Sequence, residues 1–264
     1  MFQSLSSLGL LFKGKRCGRV GNLLCLVILF SSWICVCIAV SNDVRSVGDL
    51  DLWVPSQRVL ESEDCKPPPR VWRKIGNDIT GGEGPRDRYG DFVALSDNVV
   101  LVGSSWSDGA GPDMRSAGEA RVFKYNLESE EWIQLGNVLY GEDQYDRFGS
   151  AGAISIMGDK IRIAVGAEMN NVTASGHVRA YEYNSETNKW DQMGSDIDGE
   201  SANDFSGYAV DFSKDGSRVV IGAHGNDGVN GQDSGHVRVY EYTNNHWSKL
   251  GGDIDGERAA DQCV

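Results

Sequence analysis

The stretch DFSKDG places Asp211, Ser213 and Asp215 at alternate positions and closes on Gly216. A hard cation such as calcium takes six to eight oxygen ligands, and alternating oxygen-bearing side chains ended by a glycine turn are one way to supply them. Val219 stands where a further aspartate would complete the set. The same residues also spell a hairpin turn, because Ser, Asp and Gly are favoured there on backbone grounds. A second oxygen-rich stretch, NDGVNGQDSG, holds Asp227, Asn230 and Asp233. It reads as a site for a cation or a glycan, or as a solvated loop. Calcium is the one cofactor these patterns suggest. The chain has no G-x-S-x-G elbow, H-E-x-x-H, P-loop or paired Cys/His nucleophile, so no catalytic residue is assigned.

Two further sets of charged residues recur in register. Arg121, Arg179 and Arg238 form one column, each within a run of apolar and aromatic residues. Asp87, Asp146 and Asp204 form another. A mid-strand arginine between packed layers must be paired, because an unpaired buried charge is costly. The expectation is one structural ion pair per repeat, each arginine meeting a recurring aspartate. His177 and His236 also share a column, which makes them repeat features. Asp108, Asp113 and Asp233 lie on polar loops and are the acids an enzyme reading would need to converge.

These columns exist because the chain repeats itself. Trp72, Trp132, Trp190 and Trp247 are 60, 58 and 57 residues apart, and each opens the same phrase: WRKIGNDITG, WIQLGNVLYG, WDQMGSDIDG, WSKLGGDIDG. A recurrent aspartate follows, then a small apolar run, a turn, and a buried-looking segment (VVLVGS, IRIAVGA, RVVIGA). A glycine-bearing loop leads to AGEARVFKY, SGHVRAYEY or SGHVRVYEY. In the last of these Val237 and Val239 face one way, and Arg238, Tyr240 and Tyr242 the other. That alternation is strand periodicity, built from strand-forming residues. Four short strands per repeat predict an all-β chain: a β-propeller-like array of three four-stranded antiparallel blades, open or incomplete. The tryptophans are expected in the outermost strand, packing between blades.

The pattern DRFGSAGAIS…IRIAVGAEM…GHVRAYEY resembles the FG-GAP repeat of the integrin alpha-chain propeller, over residues 71–264. Phe148 and Gly149 supply the Phe-Gly pair, where the other copies have Tyr89 with Gly90 and Ser206 with Gly207. Gly166 with Ala167 and Gly222 with Ala223 match the Gly-Ala of the second half, although Glu168 and His224 stand where a proline should follow. The resemblance implies a propeller whose loops bind a partner and whose blades can hold calcium. Three repeats (about 71–132, 133–190 and 191–247) and a fragment (248–264) fall short of the four to eight blades of a ring. The expectation is a truncated product. Assembly of several chains, or an open stack with exposed edges that self-associate, are the alternatives.

Ahead of the repeats lies a targeting segment. Lys13, Lys15, Arg16 and Arg19, in residues 1–19, precede the uncharged run at 20–40, which is long enough to span a bilayer as one hydrophobic helix. It reads as an uncleaved anchor with a cytoplasmic N-terminus, or as a signal peptide cut near AVS at residues 39–41. Either way the repeats stand outside the cytosol. Cys25, Cys35 and Cys37 lie in this run, and Cys17 beside it is a palmitoylation candidate if the anchor is kept. Residues 41–70, ending in CKPPPR, read as a stalk. Asn171 heads the sequon NVT, an N-glycosylation candidate. Cys65 and Cys263 either pair or stay free. Without the four N-terminal basic residues, 21 basic residues oppose 38 acidic ones, a net of −17. Such a surface repels nucleic acid and anionic lipid headgroups. The sequence therefore points to a membrane-anchored or secreted binding or adhesion module for an extracellular protein or glycan, not an enzyme. The alternatives are a glycan-acting hydrolase or lyase, or a non-functional product.

Overall fold

A computed structural model describes residues 72–263, apart from residues 82, 83, 85 and 112, and for Asn171 and Val172 the backbone only. The expected helix at 20–40, the stalk and Cys65 lie outside the described residues. Those that are described belong to one compact unit, residues 70–264.

The described chain is all-β. Its strands form three antiparallel sheets. The first holds β1 (Phe92–Ser96), β2 (Val99–Ser104), β3 (Glu119–Asn126), β4 (Glu131–Gln134) and β5 (Leu139–Tyr140). The second holds β6 (Phe148–Met157), β7 (Lys160–Ala167), β8 (His177–Asn184), β9 (Lys189–Gln192) and β10 (Ile197–Asp198). The third holds β11 (Ala209–Phe212), β12 (Arg218–Ala223), β13 (His236–Thr243), β14 (His246–Lys249) and β15 (Ile254–Asp255). Each is a four-stranded meander whose last strand is split. In the first sheet β4 pairs with the C-terminal half of β3 and β5 with its first two residues. A single π-helical turn, Asn170–Ala174, is the one helical element among the described residues.

The sequence period opens on tryptophan, but the sheet closes with it. A repeated sequence carries no phase of its own. The phase is set here by short turns such as NLESEE, which fold the tryptophan strand back onto the strand before it.

Alternation along the second strands builds the core. In β7, Ile161, Ile163 and Val165 face the first sheet, where they join Val99, Leu101, Ala120 and Val122 in one cluster with the fully buried Phe148 of β6. Ala164, on the other face, joins Val178, Ala180, Val219 and Ile221 against the third sheet. Burying a side chain of this size contributes roughly 1.5–3 kcal/mol, so the sheets stabilise one another through both faces. Successive sheets are also tied by isolated parallel bridges, Gly118 to Phe148 and Gly176 to Ser206, and the same bridge from Gly235 holds Cys263, beyond the third sheet. At the neighbouring close approach a Cβ on Gly103 would lie 2.0 Å from the Gly149 carbonyl oxygen, and one on Gly166 would lie 2.1 Å from that of Gly207.

The tryptophans latch the layers together. The Trp190 indole N–H donates to the Leu135 carbonyl at 2.9 Å, that of Trp247 to Met193 at 2.6 Å, and that of Trp132 to Ile75 at 3.1 Å. Each acceptor lies three residues after the preceding tryptophan. Each of these rings also tilts against the tyrosine opposite it on the third strand, Tyr125, Tyr183 or Tyr242, with centroids 4.9–5.3 Å apart. The following glycine makes the socket. Gly136 has φ 76°, and a Cβ there would sit 2.6 Å from Trp190 Nε1. Trp72 departs from this pattern, because its side chain is fully exposed.

Candidate functional site

The third strands position the charged columns. Glu119, His177 and His236 start β3, β8 and β13, with Tyr140, Asp198 and Asp255 paired opposite on the short strands. The arginine two residues on shares the face of its Glu or His. The arginines are paired, as expected, but not with the recurrent aspartates. Arg238 makes a bidentate pair with Asp253, at 2.9 and 2.7 Å, and reaches Glu200 at 2.5 Å. Arg179 meets Glu142 at 3.3 Å and Asp196 at 3.8 Å, and its Nε donates to His177 Nε2 at 3.2 Å. Arg121 has Val138 where its sisters have an aspartate, and pairs with Glu119 at 3.0 and 3.3 Å instead. The recurrent aspartates do another job. Asp146 accepts the backbone N–H of Glu142 and Asp143, Asp204 that of Ser201, and Asp87 that of Gly84, so each ties the loop that precedes it. Asp261 accepts from Arg258 in the same way.

Two clusters bring ligand-type atoms within 4.8 Å of one another: His177 with Asp196 and Asp198, and His236 with Glu200 and Asp253. Burial, followed by the Arg179 charge, lowers the His177 pKa to about 4. Burial, then Arg238, lowers that of His236. Both rings are thus neutral at pH 7, as a metal ligand must be. The cation position, however, is held by a guanidinium in each cluster. Hydrogen bonds from Arg238 hold the Asp253 carboxyl far below the usual range. A divalent ion would have to displace an arginine.

The oxygen-rich stretches are spent on turns. Asp211, Ser213 and Asp215 sit at the β11–β12 hairpin. Asp215 accepts from the hydroxyls of Ser213 and Ser217 and from the Ser217 N–H. These bonds hold its carboxyl at about 2. Asp211 accepts from the Phe212 N–H. The turn docks on the second sheet, where Arg162 reaches the Gly216 carbonyl at 3.0 Å and Ser155 that of Lys214 at 2.9 Å. In the other loop Asp227 accepts from the Asp233 N–H, and the Asn230 amide donates to Gly256. Asp108 caps Ser116 in the same manner, while Asp113 is exposed. Asn171 lies in the π-helical turn, with its side chain outside the described residues. Cys263 is free and half-buried.

The site that sequence reasoning missed lies where the inner strands begin. The residue after each recurrent aspartate, Arg88, Arg147 or Phe205, has φ of 51–57°. A non-glycine residue held there is strained by about 1 kcal/mol or more, and the strain aims its side chain at the ends of the second strands. Arg88 lies over the Trp106 indole at 4.2 Å and Arg147 at 5.3 Å. Arg147 pairs with Glu168 at 3.3 Å, and Ser105 donates to Asp91 at 2.6 Å. Arg88 is exposed and has no carboxylate within ion-pair distance among the described residues. In the third sheet Phe205 stacks on His224 at 5.0 Å, and the exposed Tyr208 tilts against it at 4.4 Å. Arg88, Asp91, Trp106, Arg147, Glu168 and Tyr208 are among the residues that line a cavity of about 340 Å³ drawing on all three repeats, Tyr208 coming from the third. One signal was available in the sequence. Here the repeat breaks, with Trp106, Met169 and Gly225 sharing one position and Ser105, Glu168 and His224 the next before it.

No family model matches the chain, and no curated protein matches it.

Proposed function

We propose that each sheet is one blade of an open β-propeller, and that the chain is an extracytoplasmic module binding a protein or glycan ligand at the mouth of its inner strands. The observation that carries this reading is the Arg88–Trp106–Arg147 cluster beside Tyr208. It combines an aromatic surface, a guanidinium with no ion-pair partner among the described residues and a polar wall, which is how a binding site fixes orientation as well as affinity. The positions that recur in all three sheets are used for the latch, the loop ties and the ion pairs. The mouth is where the sheets differ, as a single site on a repeated scaffold requires. The location outside the cytosol rests on the basic residues ahead of the apolar run and on the NVT sequon. The FG-GAP resemblance agrees with both.

A hydrolase or lyase reading draws on a second cleft, of about 420 Å³, bordered by Asp87, Asp108 and Glu119. Such chemistry needs a carboxyl free to move a proton. Asp87 and Asp108 are tied to backbone amides and Glu119 to Arg121, so the binding reading is preferred. The test is a glycan and ectodomain binding array with the protein, run beside a glycan-cleavage screen. Binding that Arg88→Ala and Trp106→Ala each abolish supports the reading. Cleavage of a glycan without such binding refutes it.

A further inference from the structure

The wall of the mouth offers two kinds of hydrogen-bonding group to a ligand. The first is a pair of guanidiniums. A guanidinium carries its N–H donors in one plane and accepts nothing. Stacking on an aromatic ring fixes that plane and uses none of the donors, because the contact runs through the faces. Arg88 is held in this way over Trp106 at 4.2 Å, and its N–H groups make no hydrogen bond among the described residues. Arg147 stands 5.3 Å from the same indole and commits Nη1 to Glu168 at 3.3 Å. The second kind is a pair of carboxylates. Asp91 is exposed and accepts the Ser105 hydroxyl on Oδ2, while Glu168 accepts Arg147 on Oε1. Each keeps a second oxygen that takes no hydrogen bond among the described residues. Between them Tyr208, 49% exposed, is braced by His224, which stacks on Phe205.

We propose that the mouth recognises a carboxylate-bearing sugar at the end of an otherwise neutral glycan. The inference rests on the reading of the mouth as the binding site and narrows its ligand. The sugar's carboxylate meets Arg88 with Arg147 beside it, its hydroxyls donate to Asp91 and Glu168, and its ring lies against Tyr208. A planar carboxylate matches the fork of a guanidinium, which can grip both oxygens at once. The alternatives each leave part of the wall unanswered. A neutral sugar leaves the guanidiniums without an acceptor. An aspartate or glutamate side chain of a protein answers the guanidiniums but brings no hydroxyl to Asp91 and Glu168. A polyanionic chain must run along a surface whose net charge is −17, and is repelled over its length. A single charge at a chain end meets the two arginines and little else. The cavity, about 340 Å³, lies near the lower end of the range of about 300–1,000 Å³ for small-ligand sites. It admits a terminal sugar and leaves the rest of the glycan in solvent.

The test is isothermal titration of the full chain in detergent with sialyllactose, its methyl ester, lactose, a glucuronate-capped oligosaccharide, heparin and a tetraglutamate peptide. At least one of the two acid-capped glycans should bind about tenfold or more tighter than lactose, and the methyl ester should lose that advantage. Arg88→Gln should abolish the preference for the acid. Arg88→Lys keeps the charge without the fork and should restore only part of it. Because Arg88 is exposed, both variants should melt with the wild type, which separates a lost site from a lost fold. Equal binding of lactose and the acid-capped glycans, abolished by Trp106→Ala, overturns the acidic sugar and leaves the mouth a glycan site. Binding of the peptide alone, removed by Arg88→Gln, overturns it in favour of a protein ligand. Heparin binding tighter than either acid-capped glycan, or an acid preference that survives Arg88→Gln, also overturns it. No response to any probe overturns both this inference and the binding reading beneath it.

Discussion

Gly136→Ala should be among the more damaging single-methyl additions in the second sheet's neighbourhood. Two costs combine. With φ at 76°, alanine is held in the left-handed region, at about 1 kcal/mol. The new Cβ would also stand 2.6 Å from Trp190 Nε1 and 2.7 Å from Cδ1. No real contact is that short, so the indole must move. Trp190 then loses its 2.9 Å hydrogen bond to Leu135, at about 1 kcal/mol. It also gives up part of the packing of a ring that is only 6% exposed, roughly a further 1–2 kcal/mol against the 3–5 of outright removal. The sum is about 3–4 kcal/mol. Gly158→Ala is the internal reference, since its φ is 62° and nothing lies within 4 Å of its Cβ. It should cost about 1 kcal/mol. Urea unfolding followed by tryptophan emission reads both, and Gly136→Ala should show the blue-shifted Trp190 signal lost or altered in the folded state. If the two variants unfold within about 0.5 kcal/mol of each other, a margin near the error of such measurements, the latch does not hold the sheets as described.

Further predictions follow from the charged columns and the turns. His177 is held neutral, with its pKa lowered to about 4 from 6.5. The unfolded chain binds the extra proton first, so stability should fall as the pH drops from about 6.5 to about 4 and level off below. His177→Gln should flatten that slope in pH-dependent urea unfolding. Arg238→Met should cost about 3 kcal/mol, because it strands Asp253 and Glu200 beside a buried methionine. A double-mutant cycle of Arg238 with Asp253 should recover most of that loss, and one with the half-exposed Glu200 much less. Millimolar calcium should leave the melting temperature of Asp215→Asn and of the wild type equally unmoved, since the oxygens of Asp215 already serve Ser213 and Ser217. A calcium-dependent shift present only in the wild type would reinstate the metal reading.

Much of the architecture was legible because it is written in short-range patterns. Period-two alternation in GHVRVYEY identifies β13, and the repeat spacing of the tryptophans places Trp132, Trp190 and Trp247 in equivalent outer strands. What could not be read was pairing across distance. Asp253 lies 15 residues from Arg238 and reaches it only because the outer strand splits into β14 and β15. The recurrent aspartates looked like equally good partners in sequence, but they are consumed three or four residues away, by the amides of their own loops. The mouth was hidden for another reason. Attention to what recurs passes over Arg88 and Trp106, which matter because their counterparts differ.

The first sheet shows how the repeat tolerates change without losing its charge balance. Val138 replaces the acid that Asp196 and Asp253 supply in the sister sheets. An arginine left alone in that setting would be an unpaired, largely buried charge, a penalty of several kcal/mol. The same sheet carries Glu119 where its sisters carry histidine, and Glu119 is the residue that pairs with Arg121. The acid has moved from the outer strand to the arginine's own strand, two residues away on the same face. Moving it also removes the histidine, and so the metal-like cluster, from this sheet. If the His–Asp clusters held a cation in their working state, the first sheet would be the odd member that had lost it. If the arginine is the cation, all three sheets are equivalent and only the route of the carboxylate differs. The second description accounts for every member of the column with one rule, which is the stronger ground for treating these clusters as structural.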